Sequence, residues 1–227
     1  MLSSTQKTFI FAIGMCLVCS IALTSANVGL KERQQLNVKI DQQKNILKSL
    51  GLFSSEVSYS GEEIQNMYET KVKSAYLNND GIITESVTDN PIFIVGSEDS
   101  IEKYSIPFKA YGLWSWVYGY LALKGDGNTI IGMTVYSHAE TPGLGGEVEK
   151  SWFQEQFVGK KITDIKGRFV SIGVAKGKAK ESVSEDKLAH YIDGISGATV
   201  TSKGVEKYLK IDLKKYEKLS ARLRRGA

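Results

Sequence analysis

Residues 114–136 read WSWVYGYLALKGDGNTIIGMTVY and carry the strongest strand signal in the chain. Aromatic and β-branched residues flank the short polar segment Lys124-Gly125-Asp126-Gly127-Asn128, which predicts two antiparallel strands joined by a tight turn. Aromatic residues occupy every second position from Trp114 to Tyr120, so a strand would place their rings on one face of a sheet. Such a face can be core packing or a surface on which a flat ligand stacks. We therefore expect the centre of a sheet here.

Helical and strand patterns flank this hairpin and predict an α+β fold, an antiparallel sheet with flanking helices. We expect helices at 31–50, 62–75, 152–157 and 204–222, and further strands at 82–87, 92–95 and 169–175. In the last of these helices one face repeats apolar residues, namely Val205, Leu209, Leu213 and Tyr216. That face is expected to pack on the sheet.

An uncharged, strongly apolar segment runs from Thr8 to Leu30. At about 1.5 Å per residue, a helix of this length spans the hydrocarbon core of a membrane. The chain therefore divides into a short tail at 1–7, a transmembrane anchor at 8–30 and one soluble domain at 31–227.

The anchor leaves two alternatives open. A cleaved signal peptide is one of them, because the segment ends in the small residues Thr24-Ser25-Ala26. The direction in which the anchor crosses the membrane is also open. Lys7 precedes the segment and Lys31 and Arg33 follow it, so the positive-inside rule does not favour either direction.

Composition limits the classes of function. With 227 residues, 42% hydrophobic and 24% charged, the chain can bury a full core. The net charge of +4 is modest and the basic residues are scattered, which disfavours a nucleic-acid partner. Only the end of the chain, from Lys214-Lys215 to Arg224-Arg225, is a basic run. It is either a solvated helix face or a contact with anionic lipid or an acidic protein partner.

Neither a metal site nor a catalytic residue is predicted. Cys16 and Cys19 lie inside the apolar segment, where two thiols cannot complete a four-ligand site and are expected to be packing residues. His138 and His190 are isolated in the sequence. Phosphate-binding P-loops, dinucleotide fingerprints and nucleophile elbows are missing, so the chain offers no nicotinamide site of its own.

The segment Asp193-Gly194-Ile195-Ser196-Gly197-Ala198-Thr199 combines a carboxylate, a turn of small residues and hydroxyls immediately before a helix. Gly197 and Ala198 let a large group approach the backbone. Thr199 then presents a hydroxyl, and Thr199, Thr201 or Ser202 is expected to cap the helix, whose N-terminal N–H groups would face a phosphate. Asp193 can hold the turn, bind a metal during a modification or assist deprotonation of the hydroxyl.

The pattern Asp-x-x-Ser/Thr-Gly-Ala-Thr at 193–199 resembles the flavinylation motif of FMN-binding domains in respiratory electron-transfer complexes. There the last Thr is esterified to FMN phosphate by a Mg-dependent flavin transferase that uses FAD, and Thr199 takes that position here. Together with segments 112–120 and 138–145, the motif makes the chain resemble, over almost its whole length, the C subunits of Na+-translocating NADH:quinone reductases. The motif is shared with the G subunits of Rnf-type ferredoxin:NAD oxidoreductases, which remain an alternative.

This resemblance implies a domain with covalent FMN on Thr199. The loop 140–146 would serve the ring through Glu140, Thr141 and Leu144, since a flavin needs hydrogen bonds at its polar edge and apolar contact on its faces. The other residues that the resemblance assigns to cofactor binding are Asp193, Ser196, Gly197, Ala198, Thr201, Leu113, Trp114 and Ser115.

The resemblance also implies a place in a larger assembly. The chain would relay electrons from an iron–sulfur centre to the FMN of the B subunit, alongside the D and E subunits and the NADH-oxidising F subunit, during quinone reduction coupled to sodium export. Its N-terminus would be inside and its domain on the periplasmic side of a bacterial inner membrane. From another class, an unflavinylated extracytoplasmic binding or scaffold module is the alternative.

Overall fold

The computed structural model describes residues 3–54, 57–97 and 100–226. The chain divides into two units, Met1–Ile40 and Asp41–Ala227. Helix α1, Ser4–Ser49, contains the predicted apolar segment and is long and hydrophobic enough to cross a membrane by length and composition. The predicted helix at 31–50 is the continuation of α1.

One antiparallel sheet forms the centre of the second unit. Its six strands are β1 (Lys73–Leu77), β2 (Ile83–Thr84), β3 (Pro91–Gly96), β4 (Ile101–Tyr111), β5 (Trp116–Lys124) and β6 (Ile130–Ser137), in the order β2-β1-β3-β4-β5-β6. The predicted hairpin is confirmed as β5 and β6. Its turn is held by Asp126, whose Oδ1 accepts the N–H groups of Asn128 and Thr129 at 2.8 Å each. The sequence prediction missed β4, which joins β3 to β5.

Several predicted boundaries were wrong. The strand predicted at 82–87 is only β2, Ile83–Thr84, and the helix predicted at 204–222 already begins at Thr199. Helix α2, Gly61–Lys71, ends before the predicted residue 75, because the alternation in Lys73–Leu77 favours the strand β1. The predicted strand 169–175 shrinks to β7, Gly173–Val174, since Ser171 has a positive φ of 66°. Trp114 lies in the turn before β5 and does not share a strand face with the later aromatic residues.

The aromatic residues that do lie on β5 pack against other rings. Trp116 makes edge contacts with Tyr111 and with Tyr208 of the last helix. Tyr120 stacks on Tyr136 of β6 with ring centroids 5.3 Å apart. Packing therefore accounts for these rings, as expected for most of the run.

Consecutive residues of β4 contact different helices, because they lie on opposite faces of the sheet. The hydroxyl of Tyr104 lies 2.7 Å from Ser220 Oγ on the last helix, α5 (Thr199–Arg224). The neighbouring Ser105 instead contacts Ser49 Oγ at the end of α1, at 2.8 Å. The predicted face of α5 is buried as expected, at Val205, Leu209, Leu213 and Tyr216.

Short elements connect β6 to α5. They are a 3₁₀ turn (Gly145–Glu149), α3 (Ser151–Gln154), a second 3₁₀ turn (Glu155–Phe157), β7, α4 (Ala179–Ser182), a third 3₁₀ turn (Glu185–His190) and β8 (Tyr191–Ile192). Strands β7 and β8 pair in parallel. The segment that carries the sequence motif at 193–199 follows β8 directly and leads into α5.

The basic end of α5 is partly used inside the domain. Arg224 donates to the carbonyl of Gly127 at 2.8 Å and pairs with Glu217. Lys215 pairs with Asp212 at 2.6 Å, and Lys214 lies over the ring of Phe169. Because these basic side chains already contact groups of the domain, the contacts favour the interpretation of the basic run as a solvated helix face.

Candidate functional site

Three segments that are distant in sequence meet around a cavity of about 200 Å³. They are the turn between β4 and β5, the loop after β6 and the first turn of α5. The residues that line the cavity are Leu113, Trp114, Glu140, Thr141, Leu144, Gly145, Gly197, Ala198, Thr199, Val200 and Thr201. Nine of the twelve residues singled out from the sequence are therefore brought together; Ser115, Asp193 and Ser196 are not among the lining residues.

Glu140 connects the three segments. Its Oε1 accepts the N–H groups of Trp114 at 2.8 Å and Ser115 at 3.0 Å. Its Oε2 accepts the N–H of Leu113 at 3.2 Å and the hydroxyl of Thr201 at 2.7 Å. The side chain is buried, so these four donors replace water around the carboxylate. The carboxylate thereby positions the turn and the helix start that form the cavity.

The same hydrogen bonds change the acidity of Glu140. Burial, the largest single influence, opposes ionisation and raises the pKa. The hydrogen bonds from Thr201 and from the N–H groups of Trp114, Ser115 and Leu113 favour the charged form and together outweigh burial. The pKa of Glu140 therefore lies below its ordinary value, and the side chain is a carboxylate at neutral pH.

Two glycines make this arrangement possible by their lack of a side chain. A Cβ on Gly112 would lie 2.6 Å from Glu140 Oε1. A Cβ on Gly145 would lie 2.5 Å from Glu140 Oε2 and 2.7 Å from Thr201 Oγ1. Both distances are far below van der Waals contact, so the backbone can approach the carboxylate only at glycine.

The start of α5 differs from the predicted cap. Its N-cap is Ala198, whose methyl side chain can form no hydrogen bond. Two of the hydroxyls expected to cap the helix are used elsewhere, because Thr201 donates to Glu140 and Ser202 Oγ accepts from the N–H of Ile195. Within the described part of the chain, the N–H groups of Thr199, Val200 and Thr201 have no hydrogen-bond acceptor. Free N–H groups at the positive end of a helix dipole are suited to a phosphate.

Thr199 is the first residue of α5, and its side chain is exposed beside these N–H groups. Ser196, also exposed, lies in the preceding turn, and Gly197 supports that turn with a φ of 73°. The hydroxyl of Thr199 is therefore accessible to a modifying group, and the neighbouring backbone is open.

Asp193 and Ser115 support the site from outside the cavity. Asp193 Oδ1 accepts the N–H of Ala179 at 2.7 Å, and its own N–H donates to Gln156 Oε1 at 2.8 Å. Of the three roles considered for Asp193, these contacts favour holding the turn. Ser115 Oγ accepts the N–H of Ala139 at 2.7 Å and fixes the loop that leads to Glu140.

Large apolar side chains at the cavity are exposed. Trp114 is 68% exposed, Val200 56%, Leu113 52% and Leu144 43%. Four such residues around one small cavity form an apolar rim that is suited to a flat, largely apolar ligand. The sequence analysis did not assign Val200 or Gly145 to the site. Gly145 belongs to the glycine-rich loop noted there, whereas nothing in the sequence distinguishes Val200.

The arrangement fits FMN in its chemistry and partly in its size. The free N–H groups suit the phosphate and the apolar rim suits the ring system. A cavity of about 200 Å³ is smaller than the roughly 300–1,000 Å³ of typical ligand pockets, so it can enclose only part of FMN. No cluster of three or more metal-ligating side chains occurs among the described residues.

Fold and site together define a flavin-binding domain, and residues 112–214 match the family model of the FMN-binding domain. The C subunit of the Na+-translocating NADH-quinone reductase of Pseudomonas aeruginosa is 31% identical over 98% of this chain and 97% of its own length. Its counterpart in Vibrio vulnificus is 34% identical over 89% of this chain and 88% of its own. The chain therefore belongs to the family of C subunits of the Na+-translocating NADH-quinone reductases.

Solved structures agree with this assignment. The crystal structure of the C subunit of the Na+-translocating NADH-quinone reductase from Parabacteroides distasonis is 32% identical, with a TM-score of 0.71 over 84% of this chain and 96% of that one. A crystal structure of NqrC from Shewanella oneidensis has a TM-score of 0.67 over 83% of this chain and 99% of that one. Its 24% identity supports the fold alone.

Proposed function

We propose that this chain is the electron-transfer C subunit of a Na+-translocating NADH:quinone reductase and carries FMN in a phosphoester bond to Thr199. The observation that carries the proposal is the position of Thr199. Its exposed hydroxyl begins α5 beside free N–H groups and lies on the same cavity as the exposed rim of Trp114 and Leu144. Family membership supports both the cofactor and the complex.

Each part of the site has a separate task in this proposal. The N–H groups of Thr199, Val200 and Thr201 bind the phosphate oxygens. Leu113, Trp114, Leu144 and Val200 provide apolar contact for the ring, and Thr141 offers a polar contact at the same cavity. Bound FMN would supply the redox chemistry, accepting and releasing electrons. Because a phosphoester tether leaves the ring unmodified, these contacts must tune its potential.

Glu140 has a different task from the one expected from the sequence. Its four hydrogen bonds within the protein use the carboxylate to position Leu113, Trp114 and the first turn of α5. We therefore assign Glu140 to positioning the ring-contact turn, with ring contact left to its neighbours. Asp193 and Ser196 shape the attachment turn, and Asp193 does so through Ala179.

The surrounding complex follows from the family. The B, D, E and F subunits would be the partners, with electrons arriving from an iron–sulfur centre and leaving to the FMN of the B subunit. NADH oxidation, quinone reduction and sodium movement then belong to other chains of the complex. Helix α1 would anchor the chain as a single span in lipid of the inner membrane, with the domain on the periplasmic side, where a Mg-dependent flavin transferase attaches FMN.

The experiment is intact-mass analysis, with in-gel flavin fluorescence, of the full chain in detergent after coexpression with a flavin transferase. Wild type should gain the mass of one FMN less one water, and Thr199→Val should gain nothing while remaining folded. Ser184→Ala is the matched control, because it removes an exposed hydroxyl outside the cavity and outside the attachment motif and should keep the flavin.

Two results would change the proposal. An unmodified, folded wild type, obtained with a transferase that modifies a control substrate, would remove the attachment and favour a binding or scaffold module. Covalent flavin together with copurifying ferredoxin:NAD oxidoreductase subunits would assign the chain to an Rnf-type complex.

A further inference from the structure

The two histidines of the chain have opposite hydrogen-bond roles. His138 Nδ1 lies 3.1 Å from the backbone nitrogen of Glu140, whose N–H only donates, so Nδ1 must be an acceptor. In the neutral ring the proton then lies on Nε2, which is 3.1 Å from Glu149 Oε2. His190 Nδ1 lies 2.7 Å from the carbonyl oxygen of Lys161, which only accepts, so there Nδ1 carries the proton. The neutral rings are therefore opposite tautomers.

His138 lies at the base of the loop 138–146, directly after β6, and its side chain is only 12% exposed. The loop continues to Thr141 and Leu144, which line the cavity at Thr199. The ring also packs against the far end of the same loop, where a Cβ on Gly146 would lie 3.4 Å from His138 Cε1. His138 thus contacts both ends of the loop that forms one side of the cavity.

Two side chains hold the first N–H groups of this loop. Ser115 Oγ accepts the N–H of Ala139 at 2.7 Å, and His138 Nδ1 accepts the next one, that of Glu140. Together they fix the backbone from which the Glu140 carboxylate reaches Trp114. The two acceptors differ in one respect, because a serine hydroxyl accepts at any pH whereas an imidazole nitrogen accepts only while it is unprotonated.

The charged residues of the loop and of the 3₁₀ turn that follows are Glu140, Glu147, Glu149 and, just beyond, Lys150. The turn at 112–115, which contacts the loop through Glu140, has no charged residue. Hydrogen bonds from Lys150 and His138 hold the pKa of Glu149 below its ordinary value, so it is a carboxylate at neutral pH and stabilises a charged imidazole beside it. The Glu140 N–H has the opposite effect, because a proton on Nδ1 would meet it.

We propose that His138 is a positioning residue for the flavin site and acts only while its ring is neutral. This inference rests on the proposed function, since the loop that His138 holds is the one that would contact the flavin. When a proton from solvent binds Nδ1, the ring keeps Glu149 through Nε2–H but loses the N–H of Glu140. The loop is then released, so Thr141 and Leu144 are no longer held at the cavity.

The first test is nitrogen NMR of the full chain in detergent, with ¹⁵N-labelled histidine, in the Thr199→Val protein. This variant should carry no flavin, so the result does not depend on the cofactor. At about pH 8, above the ordinary titration range of histidine, we expect the Nε2–H tautomer for His138 and the Nδ1–H tautomer for His190. His138→Asn assigns the two signals by removing one of them. An Nδ1–H tautomer for His138 would overturn the proposal.

An acid titration of the same sample tests the release of the loop. The amide signal of Glu140 should shift together with protonation of His138, because the N–H loses its acceptor. His190 is the internal control, since it is protonated at Nε2 and keeps its bond to the Lys161 carbonyl. The amide of Ile162, which follows that carbonyl, should therefore shift less. A Glu140 amide that does not follow the titration of His138 would count against the release.

The flavin itself provides a separate measurement. His138→Asn is the conservative variant, because an Asn side-chain oxygen can accept the N–H two residues further on but does not titrate. On acidification through the range in which NMR titrates His138, the midpoint potential of wild type should rise more steeply than that of His138→Asn. A released loop admits water, and an imidazolium adds positive charge, and both favour a negatively charged reduced ring.

Two further variants complete the comparison. His138→Leu removes the acceptor and should raise the potential at every pH. His190→Asn should follow wild type, because His190 lies outside the Thr199 cavity. Identical pH profiles of wild type and His138→Asn would reject the role of His138 while leaving the flavin proposal intact. If wild type gains no flavin, the proposed function fails, and the NMR titration alone decides whether His138 holds the loop.

Discussion

The hydroxyl of Thr201 donates a 2.7 Å hydrogen bond to Glu140 Oε2, across 61 residues of sequence. Both residues are buried. Because the same carboxylate also accepts N–H groups of Leu113 and Trp114, this bond joins the helix that carries Thr199 to the turn that carries the exposed tryptophan. The geometry of the site therefore depends on two residues that local sequence patterns do not identify as partners.

Replacing Thr201 with valine is expected to lower the free energy of unfolding by about 1–2 kcal/mol, because Glu140 loses a buried donor. Covalent flavin should be retained, since the hydroxyl of Thr199 is unchanged. Thr201→Ser keeps the donor and is the control. Urea unfolding and intact mass measure the two effects, and loss of flavin in a folded Thr201→Val protein would contradict the assigned attachment residue.

Glu140→Gln tests the same bond from the other side. The amide keeps one acceptor oxygen and loses the charge, so we expect a loss of about 1–3 kcal/mol at neutral pH. A double-mutant cycle with Thr201→Val should show non-additivity, because the two side chains share one hydrogen bond. Additive losses would mean that the two residues act independently.

The effect of Glu140→Gln should depend on pH. Since the pKa of Glu140 is lowered by folding, its contribution to stability is present above the unfolded pKa, about 4.3, and is lost as the pH falls through the lower folded value. The difference in unfolding free energy between wild type and Glu140→Gln should therefore shrink on acidification below about pH 4.3. A constant difference throughout that range would rule out the charged carboxylate as its source.

Gly145→Ala should disturb the site more than Gly143→Ala does. The new Cβ at residue 145 meets Glu140 Oε2 and Thr201 Oγ1, which are both held by their hydrogen bond. At residue 143 the space is open and only the positive φ of 75° is unfavourable, which costs about 1 kcal/mol. Thermal unfolding and flavin incorporation compare the pair; equal effects of the two changes would show that the close approach at 145 is unimportant.

Trp114→Ala should change the flavin more than the fold. An exposed side chain contributes little to folding, so the expected change in unfolding free energy is within about 0.5 kcal/mol. The midpoint potential of the attached flavin should rise, since water stabilises a negatively charged reduced ring better than an apolar contact does. Trp152→Ala is the control, because Trp152 is also partly exposed but lies outside the cavity. An unchanged potential in Trp114→Ala would exclude this side chain from ring contact.

Local patterns in the sequence were sufficient for the apolar helix, the β5–β6 hairpin, the buried face of α5 and the attachment turn, whereas most of the other residues that meet at the cavity were assigned through the resemblance to FMN-binding domains. Each of these depends on periodicity or on a short motif, which are properties of neighbouring residues. Strand β4 was missed although Tyr104, Ile106, Phe108 and Ala110 alternate with more polar residues. Pro107 lies within this pattern, and a proline argues against a strand in the middle of a sheet.

The arrangement of the site was decided by the tertiary structure. The sequence motif suggested a capped helix, but Thr201 is directed to Glu140 instead, and the N–H groups at the start of α5 have no acceptor among the residues that the structure describes. Glu140 was expected to contact a flavin ring, and its four hydrogen bonds to Leu113, Trp114, Ser115 and Thr201 favour a positioning role. Hydrogen-bond partners that lie 61 residues apart become neighbours only when the sheet brings β6 and α5 together, so a sequence pattern can identify the residues but not their partners.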